Sequence, residues 1–233
     1  MFIKMSTIEE NIQNVKQNIA KAAVKAGKKP EDITLVAVSK TVEPERIREA
    51  LKCGIKIIGE NRVQEAEEKF KKIPEEFEKH LVGHLQINKA KKAVELFDMI
   101  QSLDSIRLAE ELSKRAKAKG KIMNVLVEVN TSDEPTKYGL KPDEVMGFMK
   151  QVCHLDGIKV IGLMTVGLFS QDMDLVRPCF KKLKRLFREI KEENIPNIEM
   201  KYLSMGMTQD YEVAIEEGAN MVRIGTAIFG TRD

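Results

Sequence analysis

Lys40 ends the run Ile33-Thr-Leu-Val-Ala-Val-Ser-Lys40. Residues 33–38 are β-branched and aliphatic, as in a short strand buried on both faces of a parallel sheet. Burying an ammonium is expensive, so a lysine at such a strand end needs a reason. The cost falls if the amine is neutral, and a lysine desolvated in this way can attack an aldehyde. The simpler reading of Lys40 taken alone is a side chain that reaches back to water along its aliphatic stem.

Two further clusters shift that balance. Ser204-Met-Gly-Met-Thr208 follows one apolar run, and Arg223-Ile-Gly-Thr226 closes the next. Small residues let backbone N–H groups approach an anion, and hydroxyls add donors. Each cluster alone is also an ordinary strand-to-helix turn. Together with Lys40 they suggest a site for a phosphorylated aldehyde, and pyridoxal 5′-phosphate meets both requirements.

The chain that must position these groups alternates strands and helices. A helix begins in Ser6-Thr7-Ile8-Glu9-Glu10, carries Ile8, Ile12, Val15, Ile19 and Ala22 or Ala23 on one face, and stops near Gly27. The spacing then predicts strands at 33–38, 55–58, 80–82, 99–101, 122–129, 158–164, 198–203 and 220–224. Helices are expected at 44–53, 62–72, 89–97, 106–119, 142–151, 175–194 and 208–217. Eight alternations imply a closed (β/α)8 TIM barrel, read as a single domain over 1–233 with an extra N-terminal helix. An open doubly wound sheet is the competing fold, but the chain has no Gly-x-Gly-x-x-Gly fingerprint.

In such barrels chemistry sits at the C-terminal strand ends. That rim reads Lys40, Glu60, Asn61, Gly83, His84, Gln86, Ser102, Asp104, Glu128, Asn130, Met164, Thr165, Ser204, Gly225 and Thr226. The loops after the last two strands frequently hold phosphate, and a helix starting near Thr208 is expected to aim its positive end there.

Composition narrows the function classes. The chain has 233 residues, 42% of them hydrophobic, and a formal net charge of +3, far from the charge density of a dedicated nucleic-acid binder. The basic runs at 89–92 and 181–185 fall on helices, where solvated faces explain them. Cys53, Cys153 and Cys179 form no Cys-x-x-Cys pair and fit a reducing compartment. His80, His84 and His154 lack a metal-ligand pattern, so no metal is expected. With neither a membrane span nor a signal-peptide pattern, the expectation is a soluble cytoplasmic protein.

The motifs Val38-Ser-Lys40, Ile58-Gly-Glu-Asn61, His80-Leu-Val-Gly-His-Leu-Gln-x-Asn-Lys89, Thr136-Lys-Tyr-Gly139, Gly162-Leu-Met164, Ser204-Met-Gly-Met-Thr-x-Asp210 and Arg223-Ile-Gly-Thr-Ala-Ile-Phe-Gly230 together resemble the pyridoxal phosphate homeostasis proteins, single-domain relatives of the alanine racemase barrel. Thr208 stands where many members carry serine. The resemblance implies that Lys40 forms the internal aldimine, that Ser204, Gly225 and Thr226 hold the phosphate, that Arg223 lies near the pyridine nitrogen and that Asn61 lines the pocket. It implies a protein that buffers or delivers pyridoxal phosphate, acts as a monomer and meets apoenzymes transiently.

Arg223 bears on the chemistry. A guanidinium stays protonated and offers only donors, which disfavours a second proton on a neighbouring pyridine nitrogen and makes the ring a poorer electron sink. The chain also lacks the tyrosine that alanine racemases place shortly after the lysine, since Thr41-Val42-Glu43 follow, and their second domain has no counterpart before Asp233. Cofactor binding without amino-acid turnover is therefore the expectation. The alternative is a racemase or lyase using Lys40 with His84 or Tyr138 as the acid–base pair. Lys137, in a polar loop, is a candidate secondary acceptor, although a solvated loop lysine is the simpler reading.

Overall fold

The computed structural model describes residues 7–132 and 134–231. Its core is a closed barrel of eight parallel strands in sequence order: β1 (Thr34–Val38), β2 (Ile57–Glu60), β3 (Glu78–Leu81), β4 (Met99–Leu103), β5 (Met123–Glu128), β6 (Ile158–Met164), β7 (Ile198–Ser204) and β8 (Met221–Ile224). The helices are α1 (Ile8–Lys25), α2 (Pro44–Lys52), α3 (Val63–Phe70), α4 (Ala90–Leu96), α5 (Ile106–Ala118), α6 (Val145–Val152), α7 (Met173–Glu192), α8 (Tyr211–Glu216) and the single turn α9 (Thr226–Phe229). The (β/α)8 expectation holds, with α1 as the extra helix.

Thr7 caps α1 through its side chain, which accepts from the Glu10 N–H, while the Glu10 carboxylate accepts from the Thr7 N–H. Ser6, named with Thr7 as the helix start, lies outside the described residues. Ile8, Ile12, Val15, Ile19, Ala22 and Ala23 are all buried, so the 3.6-residue pattern locates the packed face. Asn11 on α1 donates to the Ile228 carbonyl, and Arg46 on α2 donates to that of Phe229. These bonds hold the last turn of α9 and so fix where Gly225 and Thr226 sit.

Apolar residues fill two layers. The larger lies between sheet and helices; a smaller cluster of Val36, Met99, Leu126, Ile161, Met164 and Met221 fills the barrel. β1 and β8 close the ring with Val36 opposite Arg223 and Ala37 opposite Ile224. This register brings the ends carrying Lys40 and Gly225 side by side.

Three boundaries differ usefully from expectation. β2 runs two residues later than 55–58, because Gly59 pairs with both Val38 and His80. A Cβ at Gly59 would stand 2.9 Å from Val36 Cγ1, so the barrel uses glycine here as a strand residue. α6 begins at Val145 rather than Pro142. α8 begins at Tyr211 rather than Thr208, because the Asp210 carboxylate turns back to accept from the Met207 N–H at 2.6 Å. At six residues α8 is too short to supply the helix-end field expected at Thr208, leaving hydroxyls and turn amides as the anion donors.

Candidate functional site

A cavity of about 370 Å³ opens at the C-terminal end of the strands. Lys40, Asn61, Arg223, Gly225 and Thr226 line it, together with Thr208 and Asp210. Five of the six residues expected from sequence thus meet in one space. Apolar walls come from Val38, Val82, Val166, Leu168 and Phe169, the last 80% exposed. A second groove of about 380 Å³ shares Val38, Lys40, Gly225 and Thr226 and runs out past Arg46.

The sixth residue, Ser204, does not line the cavity. It is fully buried; its hydroxyl donates to Gln101 Oε1 at 2.7 Å and accepts from Arg223 Nη1 at 2.8 Å. A hydroxyl has one proton, and this one is spent on Gln101. The structure therefore places Ser204 beneath the site as a support for Arg223, not as an anion donor. Thr208, four residues on, carries the hydroxyl of the same turn into the cavity. Its Oγ1 accepts from the Ala227 N–H at 3.3 Å, which leaves its own proton to donate.

Arg223 is almost fully buried. Its second terminal nitrogen donates to the Thr165 carbonyl at 2.7 Å. Burial pushes the guanidinium down to about 10, opposed by Glu128 and Asp210, so it remains a cation at neutral pH. Beneath it a polar string crosses the barrel: Ser204 to Gln101, Gln101 Nε2 to His80 Nδ1 at 2.9 Å, and His80 Nε2 to Glu78 at 2.7 Å. Charged-group hydrogen bonds of this kind fix a guanidinium in direction as well as place. Gln101 was legible only as a polar residue in the run Met99-Ile-Gln-Ser-Leu103.

Two glycines shape the walls. A Cβ on Gly225 would stand 3.0 Å from the Val38 carbonyl oxygen, and one on Gly83 would stand 2.5 Å from that of Asn61. Gly83→Ala must therefore push the Asn61 backbone aside. The variant is expected to lose about 1–3 kcal/mol of stability, as overpacked sites do. Urea unfolding measures this, and Gly147→Ala, which has open space around its Cβ, serves as the control.

The groups considered as acid–base partners sit elsewhere. His84 Nδ1 lies 3.2 Å from Asp104 Oδ2, and its ring stacks on Tyr138 at 3.8 Å. Neither ring lines the cavity around Lys40. Tyr138 and Lys137 instead line a smaller space of about 180 Å³ with Glu128 and Asn130. Lys137 donates to the Gly167 carbonyl at 2.6 Å and pairs with Glu134. Glu128 is 6% exposed, and its Oε2 has no hydrogen-bond partner among the described residues. Burial, then Asp104, push its carboxyl up to about 7, against the pull of Arg223.

Fold and site together define a parallel (β/α)8 barrel with a strand-end lysine and a buried arginine on one cavity. The model of the alanine racemase N-terminal domain matches residues 3–233. Pyridoxal phosphate homeostasis proteins from Aquifex aeolicus and Escherichia coli are 42% and 36% identical, over 96% and 98% of this chain and 97% and 98% of their own. The chain belongs to this family of pyridoxal phosphate homeostasis proteins. Among solved structures, PipY from Synechococcus elongatus with PLP bound is 32% identical, with a TM-score of 0.85 over 96% of this chain and 100% of that one. An alanine racemase from Clostridium difficile, 16% identical, shares the fold alone, with a TM-score of 0.78 over 98% of this chain and 57% of that one.

Proposed function

We propose that this protein holds pyridoxal 5′-phosphate as a Schiff base on Lys40 and serves, in the cytoplasm, to buffer the cofactor or deliver it to apoenzymes, without turning over amino acids. The observation that carries this reading is the convergence of Lys40, Arg223, Thr208, Gly225 and Thr226 on one cavity. The residues fit the cofactor. Lys40 brings an amine to the cavity for the aldehyde. Thr208, Thr226 and the turn amides supply donors for the phosphate, and Arg223 supplies a donor for the ring nitrogen. The family name and the PLP-bound relative support the same ligand.

When bound, pyridoxal phosphate supplies an electron sink for amino-acid chemistry. The residues here restrain that use. Arg223 stays cationic and offers only donors, so it has no acceptor for a proton on the ring nitrogen. Racemisation also needs an acid and a base on opposite faces of the reacting carbon. His84 and Tyr138 are stacked on each other and do not line the Lys40 cavity, which speaks against either as the opposing acid–base group.

Two measurements test the reading. In absorbance titrations Thr208→Ala should weaken pyridoxal 5′-phosphate about ten- to a hundredfold, the worth of one hydrogen bond to a charged acceptor, and leave pyridoxal unchanged. In heavy water, the loaded protein should exchange the Cα proton of alanine and serine far below ~1 per second, the lower end of ordinary enzyme turnover. Exchange at or above that rate, lost in Lys40→Ala, would establish the racemase or lyase reading instead.

A further inference from the structure

We propose that Lys69, with Glu60 and Glu65, is a positioning device that clamps the peptide groups on either side of Lys40 and so presents its amine to the cofactor aldehyde. The inference rests on the reading that Lys40 carries the cofactor.

After β1 the chain makes one last sheet bond, from the Ser39 N–H to the Gly59 carbonyl at 2.9 Å, and then turns. Thr41 takes φ +61°, a left-handed conformation that sterics disfavour for a β-branched residue. Such a conformation persists only where its surroundings over-determine it. Here the surroundings are ionic, buried at Glu60 and Lys69 and open to solvent at Thr41. Lys69 Nζ donates to the Ser39 carbonyl at 2.6 Å, which belongs to the peptide before Lys40. Glu65 Oε1 accepts from the Thr41 N–H at 2.5 Å, which belongs to the peptide after it.

The same ammonium joins the two halves. Lys69 Nζ lies 2.9 Å from Glu60 Oε1 and 2.6 Å from Glu65 Oε1, and Ser39 Oγ donates to Glu60 Oε1 at 2.6 Å. The three hydrogens of Lys69 thus meet three acceptors, the full capacity of an ammonium. Lys69 is 9% exposed and Glu60 is fully buried. Well-packed apolar residues would often stabilise such a place as well or better. What apolar residues cannot do is grip a carbonyl on one side of Lys40 and an N–H on the other. Glu65 and Lys69 are one turn apart on α3 and Glu60 ends β2, so the grip ties the Lys40 turn to two rigid elements. Orientation of an attacking group is worth much of the rate and equilibrium of bond formation, and small displacements forfeit it.

The test separates the bond from the pocket by using two ligands. Pyridoxine 5′-phosphate keeps the ring and phosphate but has an alcohol in place of the aldehyde, so it cannot bond to an amine. Borohydride reduction and peptide mapping of the wild-type protein come first. Label on Lys40 establishes the underlying reading, whereas its absence overturns that reading and this proposal with it.

With Lys40 labelled, Lys69→Met and Glu65→Ala are expected to weaken pyridoxal 5′-phosphate on the order of tenfold or more, while pyridoxine 5′-phosphate stays within about twofold. Glu65→Gln keeps an acceptor for the Thr41 N–H and should retain most of the affinity. Hydrogen exchange at the Thr41 amide should speed up in Glu65→Ala and not in Glu65→Gln. Parallel losses for both ligands would assign the cluster a general structural role and overturn the proposal, as would unchanged affinity for both. If Lys69→Met does not fold, the partly exposed Glu65 variants carry the same comparison.

Discussion

Lys40→Ala is expected to leave the protein colourless in the presence of pyridoxal 5′-phosphate, with affinity at least ~100-fold lower, equivalent to about 2.8 kcal/mol. The reason is that the other cavity groups offer only hydrogen bonds and packing, whereas the lysine offers a covalent bond to the aldehyde. The substitution should leave the fold intact. Lys40 lies at a strand end and is only half-buried, so its removal opens no core cavity. Absorbance near the Schiff-base band, and peptide mapping after borohydride, read the effect. Lys137→Ala is the matched control, because Lys137 lines a different space and is tied to Gly167 and Glu134. Full colour in Lys40→Ala, with the label recovered on Lys137 or Lys89, would sink the assignment.

That prediction uses a residue visible in the sequence; the reasons it sits where it does were less visible. The barrel could be read because each strand is a short aliphatic run and each helix shows a 3.6-residue apolar face, signals that survive without tertiary information. The end of β2 could not, since Gly59 and Glu60 have low strand propensity and become strand only when β1 and β3 pair with them. The turn Ser204-Met-Gly-Met-Thr208 presents two hydroxyls four residues apart. Spacing alone does not say which one faces the cavity. Burial and the proton donated to Gln101 decide it, and Gln101 is more than a hundred positions away in sequence. Lys69 reads in sequence as one lysine of a charged helix. Its partners on Ser39, Glu60 and Glu65 converge only once the barrel has closed.

Glu128 gives the largest expected pH effect. Its carboxyl is pushed from the ordinary 4.5 to about 7 by burial and by Asp104, with Arg223 pulling the other way. Between those values the folded protein holds a proton that the unfolded chain has released. Raising the pH through that window therefore works against folding. The penalty is absent near pH 4, grows from about pH 5 to 7 and is complete above pH 8, where it amounts to about 3 kcal/mol. Glu128→Gln removes the ionisation. The variant is expected to match the wild type at pH 4.5 within about 0.5 kcal/mol and to exceed it by about 2–3 kcal/mol at pH 8.5. Urea unfolding at the two pH values measures both differences. A variant less stable than the wild type at pH 8.5 would mean that the charged carboxylate forms a net favourable pair with Arg223, and the argument would fail. A neutral Glu128 fits the geometry better. Its Oε2 has no hydrogen-bond partner among the described residues, and the Arg223 terminal nitrogens are directed at Ser204 and Thr165. The guanidinium then owes its direction to neutral acceptors, and its charge is left to act on whatever occupies the cavity.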